Sequence, residues 1–511
     1  MIRRNGAQAW DNVHVTFRAQ LDDLIDVDNG PPAGGTQQRG FPLLRQVAAD
    51  LDGLAAEARQ RGKRIRALGS GWALTDIALT DGWLINTKPL TGCFELSERY
   101  FEDSFEQARR PFVVLAQAGI SVGQLNTHLE LGATAGFPRA LRTAGIGAGQ
   151  TIAGAVSGNT HGSAINFGAM PDFVVGIQLV TGSGRSLWLE RASEPVLTDE
   201  FVAKLGAERM RDDDVFDAAV VSFGAFGIIT ALAIETEPLY QLAFAPVHDI
   251  SHADLKHKLS HLAYDDPPGL HHYEFVFDPY SSNEMAMEAV ATKVPVEPGH
   301  TPPEPVWIVR SEKGFALGPH TPGVILDLPL VTPAQKTAFQ FKQYRERCIL
   351  DDTRGTPGQL FTATITYLEG YTESALGVSV HDAATMIDVS ARVIRDMDLP
   401  AMAQVRVAHP SRALLGFTYL APKTAVFEFG LAHDDRFPEF EDNLTAALTA
   451  EGVRYTFHWS KNSGLTPARL QAMYGNSRVQ RWRDARKRVF HDDAALMEVF
   501  SNEHLERAGL A

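Results

Sequence analysis

Cysteine is almost missing from this chain of 511 residues: Cys93 and Cys348 are the only two, far apart in sequence. Neither has a Cys-x-x-Cys neighbour, so a disulfide framework is excluded and a cysteine metal site has no ligand set. Positive charge is also in short supply. Forty-seven Lys and Arg face 62 Asp and Glu, a formal net charge of −15, which speaks against a nucleic-acid partner because phosphates need a basic face. Long apolar runs are absent too. The longest, such as "AFGIITALAI" (225–234), reach about half a membrane span, so no membrane crossing is expected. The opening "MIRRNGAQAWDN" has two arginines but no apolar stretch after them. The expectation is therefore a cytoplasmic protein without a secretory signal. Finally, the chain holds neither GxxxxGK[ST] nor a strand–GxGxxG–helix unit, so a P-loop or Rossmann nucleotide site is not expected.

What is present is an ordinary globular composition, 44% hydrophobic and 21% charged, long enough for two or three domains. The first 240 residues alternate helical and strand patterns. In "LLRQVAADLDGLAAEARQRG" (43–62) the apolar side chains fall on one stripe, which predicts an amphipathic helix ending at Gly62. "RIRAL" (64–68) reads as a short strand leading into the loop "GSGWALTD" (69–76), and "FVVLAQAG" (112–119) as a buried strand. "VGQLNTHLELG" (122–132) predicts a helix closed by Gly132, and "DFVVGIQLVTGSGRSLWLER" (172–191) a hairpin turning at Gly182-Ser183-Gly184. Composition shifts after Pro238. A proline-rich surface loop is expected at "VPVEPGHTPPEP" (294–305), then a strand at "LFTATITYLEG" (360–370), a helix at 383–397, and strands at "AQVRVA" and "AVFEFGL". The reading is an α+β fold in three parts: residues 1–240, a second domain at 241–455, and a C-terminal segment, 456–511.

Two glycine-rich loops call for an explanation, "GSGWA" and "AGIGAGQTIAGAVSGNTHGSA". Glycine permits positive φ and close backbone approach, and successive backbone N–H groups can form an anion-binding nest. Two such loops in one domain, the second about twenty residues long, suggest an extended cofactor carrying a diphosphate.

The ordered set "RIRALGSGW…TDGWLINTKPL", "VLAQAGISVGQLNTHLELGATAGF", "GQTIAGAVSGNTHGSA", "VVGIQLVTGSGRSLWL" and "VFDAAVVSFGAFGIIT" resembles the PCMH-type FAD-binding domain of the vanillyl-alcohol-oxidase superfamily. The tail "FHWSKNSGLTPARLQAMYGNSRVQRWRDARKRVF…FSNEHL" is similar to the C-terminal end of the branch holding the sugar-lactone (aldonolactone) and alditol oxidases. The resemblance implies a two-part FAD domain at 1–240, an α+β substrate-binding cap with an antiparallel sheet at 241–455, and a C-terminal segment returning to the FAD site. It also implies that Ser157, Gly158, Asn159, Thr160, His161 and Gly162 wrap the FAD pyrophosphate, with Thr151 and Gly154 in the same groove. Gly69, Ser70, Gly71, Trp72 and Ala73 would clamp the opposite side, Ile229 would lie against the adenine end, and Gly145 and Ile146 would pass near the reactive edge of the flavin.

On the substrate side, the family's ExR pattern appears here as Gln404-Val405-Arg406, and its HWGK pattern as His458-Trp459-Ser460-Lys461. Arg406 and Lys461 are the candidate cations beside the flavin, where fixed positive charge stabilises the reduced ring. Gln404 replaces a carboxylate and can orient a hydroxyl but not take its proton. Glu428 in "VFEFG" is the substitute candidate for the base. Many relatives tether the flavin through a histidine in the first loop; Trp72 stands at that position, so noncovalent FAD is expected. Ile146 stands where the alditol branch carries a polar group, which points to a larger or less polar alcohol. Gly145 leaves a methyl-sized gap suited to O2, unless it serves only backbone geometry. The activity implied is FAD-dependent oxidation of a CH–OH group by hydride transfer to flavin N5, with O2 or another acceptor and H2O2 as product. Two alternatives stand beside it: a sterol or other hydrophobic alcohol oxidase, marked by a hydrophobic funnel in 241–360, and a flavin-binding protein without turnover. No metal is implied.

Overall fold

The computed structural model describes the chain apart from residues 15, 17, 31–39, 133, 263–268, 282–284, 302–329, 348, 363–370, 433–435 and 463. Of the strand expected at 360–370, Leu360 instead ends the short helix Pro357–Leu360, while 363–370 and part of the proline-rich loop lie outside the described residues.

The amphipathic stripe of the first helix does what its spacing dictates. Phe41–Gln60 is helical, with Leu44, Val47, Leu51, Leu54, Ala55 and Ala58 buried, and Gly62 adopts positive φ just beyond it. The helix packs on two small sheets. One is four-stranded, in the order Ile2–Arg4, Asp23–Val27, Trp83–Asn86 and Ile65–Leu68. The other is six-stranded and built around the hairpin Val174–Val180/Ser186–Glu190, whose turn has Gly182 and Gly184 at positive φ. Further along the same sheet, Val113–Gln117, paired with Ile228–Glu235, is buried at every position, the pattern of a strand covered on both faces. Val122–Leu131 is closed as expected: Ser121 and Gln124 form a reciprocal cap at its start, and Gly132 is left-handed at its end.

The second region is a nine-stranded sheet whose pairs are antiparallel. Its central order is Met285–Val294, Leu270–Phe277, Ala403–Ala408, Thr424–Ala432, Tyr371–Ser379 and Tyr455–Phe457. The helices Ala383–Asp396 and Phe437–Ala450 contribute to its core. Beyond it, the helix Pro467–Phe490 runs back to the first region. Trp482 packs beside Phe223 and Phe226, and Arg486 donates to the Ala225 carbonyl.

The two regions join where the site lies. Ala164, at the end of the second glycine loop, forms a bridge to His272 of the nine-stranded sheet. On the other side, the Leu74 amide donates to the Ser460 carbonyl at 2.7 Å and the Thr75 hydroxyl to the Trp459 carbonyl at 3.0 Å. Among the described residues, no helix is long and apolar enough to cross a membrane.

Candidate active site

Both glycine loops open onto one cavity. Gly69, Ser70, Gly71, Trp72 and Ala73 line one wall, and Gly145, Ile146, Thr151, Gly154, Ser157, Gly158, Thr160 and His161 another, with Ile229 further along. The glycines matter because the walls nearly touch. A β-carbon on Gly69 would lie 2.2 Å from the Thr151 hydroxyl, and one on Gly158 2.8 Å from the Ser460 hydroxyl. Thr151 is itself held, as the N-cap of the short helix Ile152–Ser157.

Two of the residues expected at the pyrophosphate, Asn159 and Gly162, do not line the cavity. Asn159 sits at φ 59° with its side-chain oxygen accepting from the Phe417 amide at 2.9 Å, so it braces the loop against the segment 411–418. A β-carbon on Gly162 would meet the Ala144 carbonyl at 2.5 Å, so this glycine permits backbone packing behind the wall. Both were expected at the pyrophosphate, and both act one layer further out.

The far end of the cavity is charged. Strand register places its members: Gln404 pairs with Glu428, Ala375 with Glu428, and Glu274 with Arg406 on adjacent strands. Arg406 donates to Glu428 at 2.7 Å and to Glu274 at 3.4 Å. Lys461 donates to Glu373 at 2.8 Å and also contacts Glu428. His161 reaches from the loop to within 3.7 Å of Glu428, while His458 stands near the His161 and Phe417 rings. Glu373, Arg406, Glu428, His458 and Lys461 all line the cavity.

Burial forces these charges to be matched. Burial alone would push the Glu428 carboxyl up, but Arg406 and Lys461 outweigh it and hold Glu428 well below the usual carboxylate range. The same balance raises Arg406 and Lys461 against burial, through their glutamates. Glu373 goes the other way: burial, reinforced by the like charge of Glu428, raises it despite Lys461. His458 is driven well below its ordinary value by burial and then by Lys461, which leaves its imidazole neutral. Glu428 is thus a poor proton acceptor, and the expectation that it replaces the family's base is corrected: two cations stabilise its ionised form. Gln404 is corrected as well. Its oxygen accepts from Arg406 at 3.4 Å and from the Tyr344 hydroxyl at 3.2 Å, and it lies behind the cavity wall.

Several members were not singled out from sequence. Glu373 stands on the wall, and Glu274, which burial would raise but Arg406, His272 and Tyr344 together hold at about 2, anchors Arg406 from behind. His14 and Arg66 also line the cavity. A carboxylate inside the aromatic run "HHYEFVF" was the available signal for Glu274, because a buried charge there demands a partner.

Residues 46–190 match the FAD binding domain family. Over 99% of its length the chain superposes on the cholesterol oxidase of Brevibacterium sterolicum, covering 97% of that chain, with a TM-score of 0.67 at 14% identity. The class these findings define is a mixed helix-and-sheet FAD-binding fold shared with that oxidase, with an FAD binding domain over residues 46–190 and an antiparallel sheet beyond it. Curated proteins match part of the chain. The D-arabinono-1,4-lactone oxidase of Eremothecium gossypii is 32% identical over 185 residues, 36% of this chain and 29% of that protein. The L-gulono-1,4-lactone dehydrogenase of Mycobacterium tuberculosis is 28% identical over 237 residues, 46% of each chain. The chain thus spans less than half the length of these relatives.

The cavity fits FAD on its own terms. It is long and joins backbone-rich glycine loops to apolar surfaces at Trp72, Ile146 and Ile229. Trp72 also leaves its indole Nε1 buried without a hydrogen-bond partner. FAD is the cofactor of this domain.

Proposed function

We propose that the chain is an FAD-dependent oxidoreductase that oxidises a CH–OH group of a small alcohol of the sugar-lactone or alditol class, with O2 as acceptor and H2O2 as product. One observation carries the reading: the cofactor loops and the Arg406–Glu428–Lys461 cluster line the same cavity. A protein that only stored flavin would have no use for buried charges so costly to assemble. FAD, when bound, supplies the hydride acceptor. The chain's own residues do the rest. Arg406 and Lys461 present fixed positive charge where negative charge develops, and Glu274 and Glu428 keep both cations in place. The hydroxyl proton passes to Glu373, beside Lys461 on the cavity wall. Glu373 is the better acceptor of the two on the wall, because it meets one cation, Lys461, whereas Glu428 is held by both Arg406 and Lys461.

A charged, hydrogen-bonding end suits a polyhydroxylated substrate better than a sterol, and the names of the curated relatives agree with that preference. The likeness to cholesterol oxidase supports the fold alone. The deciding experiment is anaerobic addition of sugar lactones, alditols and sterols to the yellow protein, followed by aerobic assay of H2O2. Bleaching by a lactone or alditol is the expected result. Bleaching by sterols alone would move the function to the hydrophobic-alcohol reading, and no bleaching by any alcohol would leave a flavin-binding protein.

A further inference from the structure

The cavity's lysine and arginine side chains are Arg66, Arg406 and Lys461. Arg406 and Lys461 are matched by glutamates. Arg66 is not. It is 2% exposed, and its guanidinium donates to backbone carbonyls: Phe500 at 3.0 Å, Ile77 at 2.8 Å, and Phe223. Among the described residues the charge it feels is that of Arg486, not of a carboxylate. Behind it, buried Arg486 likewise donates to carbonyls, those of Ala225, Leu510 and Met497, with Glu498 as a nearby counter-charge. Carbonyls satisfy N–H groups but leave the charge unneutralised, and burying an uncompensated cation is expensive. Burial, and then the like charge of Arg486, draw Arg66 down to about 9.

Arg66 therefore stands on a cavity wall as a cation whose counter-charge is still to come. The backbone around it is shaped for close approach: Gly224 has positive φ, and a β-carbon there would lie 3.2 Å from the Arg66 guanidinium. We propose that Arg66, backed by Arg486, is the fixed positive charge that holds the diphosphate of FAD, so that this cavity selects the dinucleotide over uncharged riboflavin. The two ends of the cavity then differ in kind. At the Glu373–Lys461 end the charges are matched internally, which leaves no net attraction for phosphate; at Arg66 they are not. In a chain with net charge −15, such a local cation offsets the general repulsion of an anionic ligand.

The test titrates the cofactor-free full-length chain with FAD and with riboflavin, following flavin fluorescence. Arg66→Gln should weaken FAD by at least about 10-fold, the scale of removing one partner from a buried charge contact, with riboflavin unchanged; Arg66→Lys should recover part of the loss. An equal loss for both ligands would make Arg66 only a brace for the 223–224 turn and overturn the proposal, as would no loss for either. Should Arg66→Gln fail to fold, the wild-type chain decides. ADP must then compete for the site at least about 10-fold more tightly than adenosine, and equal competition refutes the assignment.

Discussion

Trp72 lies against the bare α-carbon of Gly147: a β-carbon at Gly147 would come within 2.8 Å of the indole ring. This contact joins the two cofactor loops, because Trp72 belongs to the first and Gly147 to the second, and both line the cavity. The Trp72 carbonyl is fixed in turn by the His14 ring nitrogen at 3.1 Å. Gly147→Ala must push the indole aside, since the ring edge at 2.8 Å is too close for a methyl group. The expected cost is about 1–3 kcal/mol of stability, typical of overpacking, with partial loss of bound FAD. Flavin content per chain and thermal melting, with and without added FAD, check this. Wild-type values for both would mean that the loops are less tightly joined than the contact indicates.

Trp72 also governs how the cofactor is held. An indole nitrogen carries its lone pair in the ring π-system and does not form the bond a histidine would. FAD is therefore expected to leave the chain on acid or heat treatment, with none retained by the denatured protein. Flavin fluorescence that travels with the protein band on a denaturing gel contradicts this, and peptide mass mapping would then identify the attachment point.

Arg406→Ala and Lys461→Ala should each retain FAD but slow flavin reduction by about 10²-fold or more, the scale for losing one preorganised charge partner. Each also strands buried carboxylates: Glu274 and Glu428 in the first case, Glu373 and Glu428 in the second. A stability loss of about 3–5 kcal/mol is expected alongside. Stopped-flow reduction by a bleaching substrate separates the effects, since a folded, yellow variant that reduces at the wild-type rate removes that residue from the chemistry.

The cofactor half of this site was legible in sequence because its signals are local. Glycines at strand ends, the cap Thr151 and the substitution at Trp72 are read within a few residues of one another. The charged half was only partly legible. Arg406 and Lys461 could be placed by motif, but what surrounds them depends on strand register. Glu274 meets Arg406 only because Leu270–Phe277 pairs with Ala403–Ala408 in one particular alignment. Glu373 reaches Lys461 because the segment after Tyr455–Phe457 crosses the end of Tyr371–Ser379. Arg66 was hidden for a related reason: in "RIRAL" it reads as an exposed strand residue, and only the chain's return at Phe223 and Phe500 buries it.

Glu441 couples the site to pH. Its carboxyl, 1% exposed on the helix Phe437–Ala450, accepts from the Asn462 amide at 2.5 Å, directly beside Lys461. Burial raises it from 4.5 to about 7, against the lowering effect of Ser374 and Asn462. A carboxyl raised in the folded state favours folding while it stays protonated. Its contribution is full below about 4.5 and is lost as pH rises through about 7. The loss is on the order of 3 kcal/mol. Melting temperature should thus fall as pH rises from about 4.5 to about 7, level off above that in the wild type, and fall less in Glu441→Gln. Parallel curves for the two proteins would assign the dependence to other groups.

Gly145 brings the acceptor question to a definite variant. The methyl-sized gap expected for O2 is not open space: a β-carbon at Gly145 would sit 3.0 Å from the Thr160 methyl and 3.3 Å from the His161 carbonyl. The glycine therefore serves loop packing, the alternative kept open by its sequence position. An added methyl presses on Thr160 and His161, which both line the cavity, so it strains the loop that cradles the cofactor. Gly145→Ala is expected to lower FAD affinity by about 10-fold, on the scale of 1–2 kcal/mol of packing strain, while reduced flavin that stays bound reoxidises in aerated buffer at the wild-type rate. Stopped-flow reoxidation measured on the fully loaded variant checks this directly. Slower reoxidation with undiminished FAD affinity would restore the gas-gap role and place the path of O2 beside Gly145.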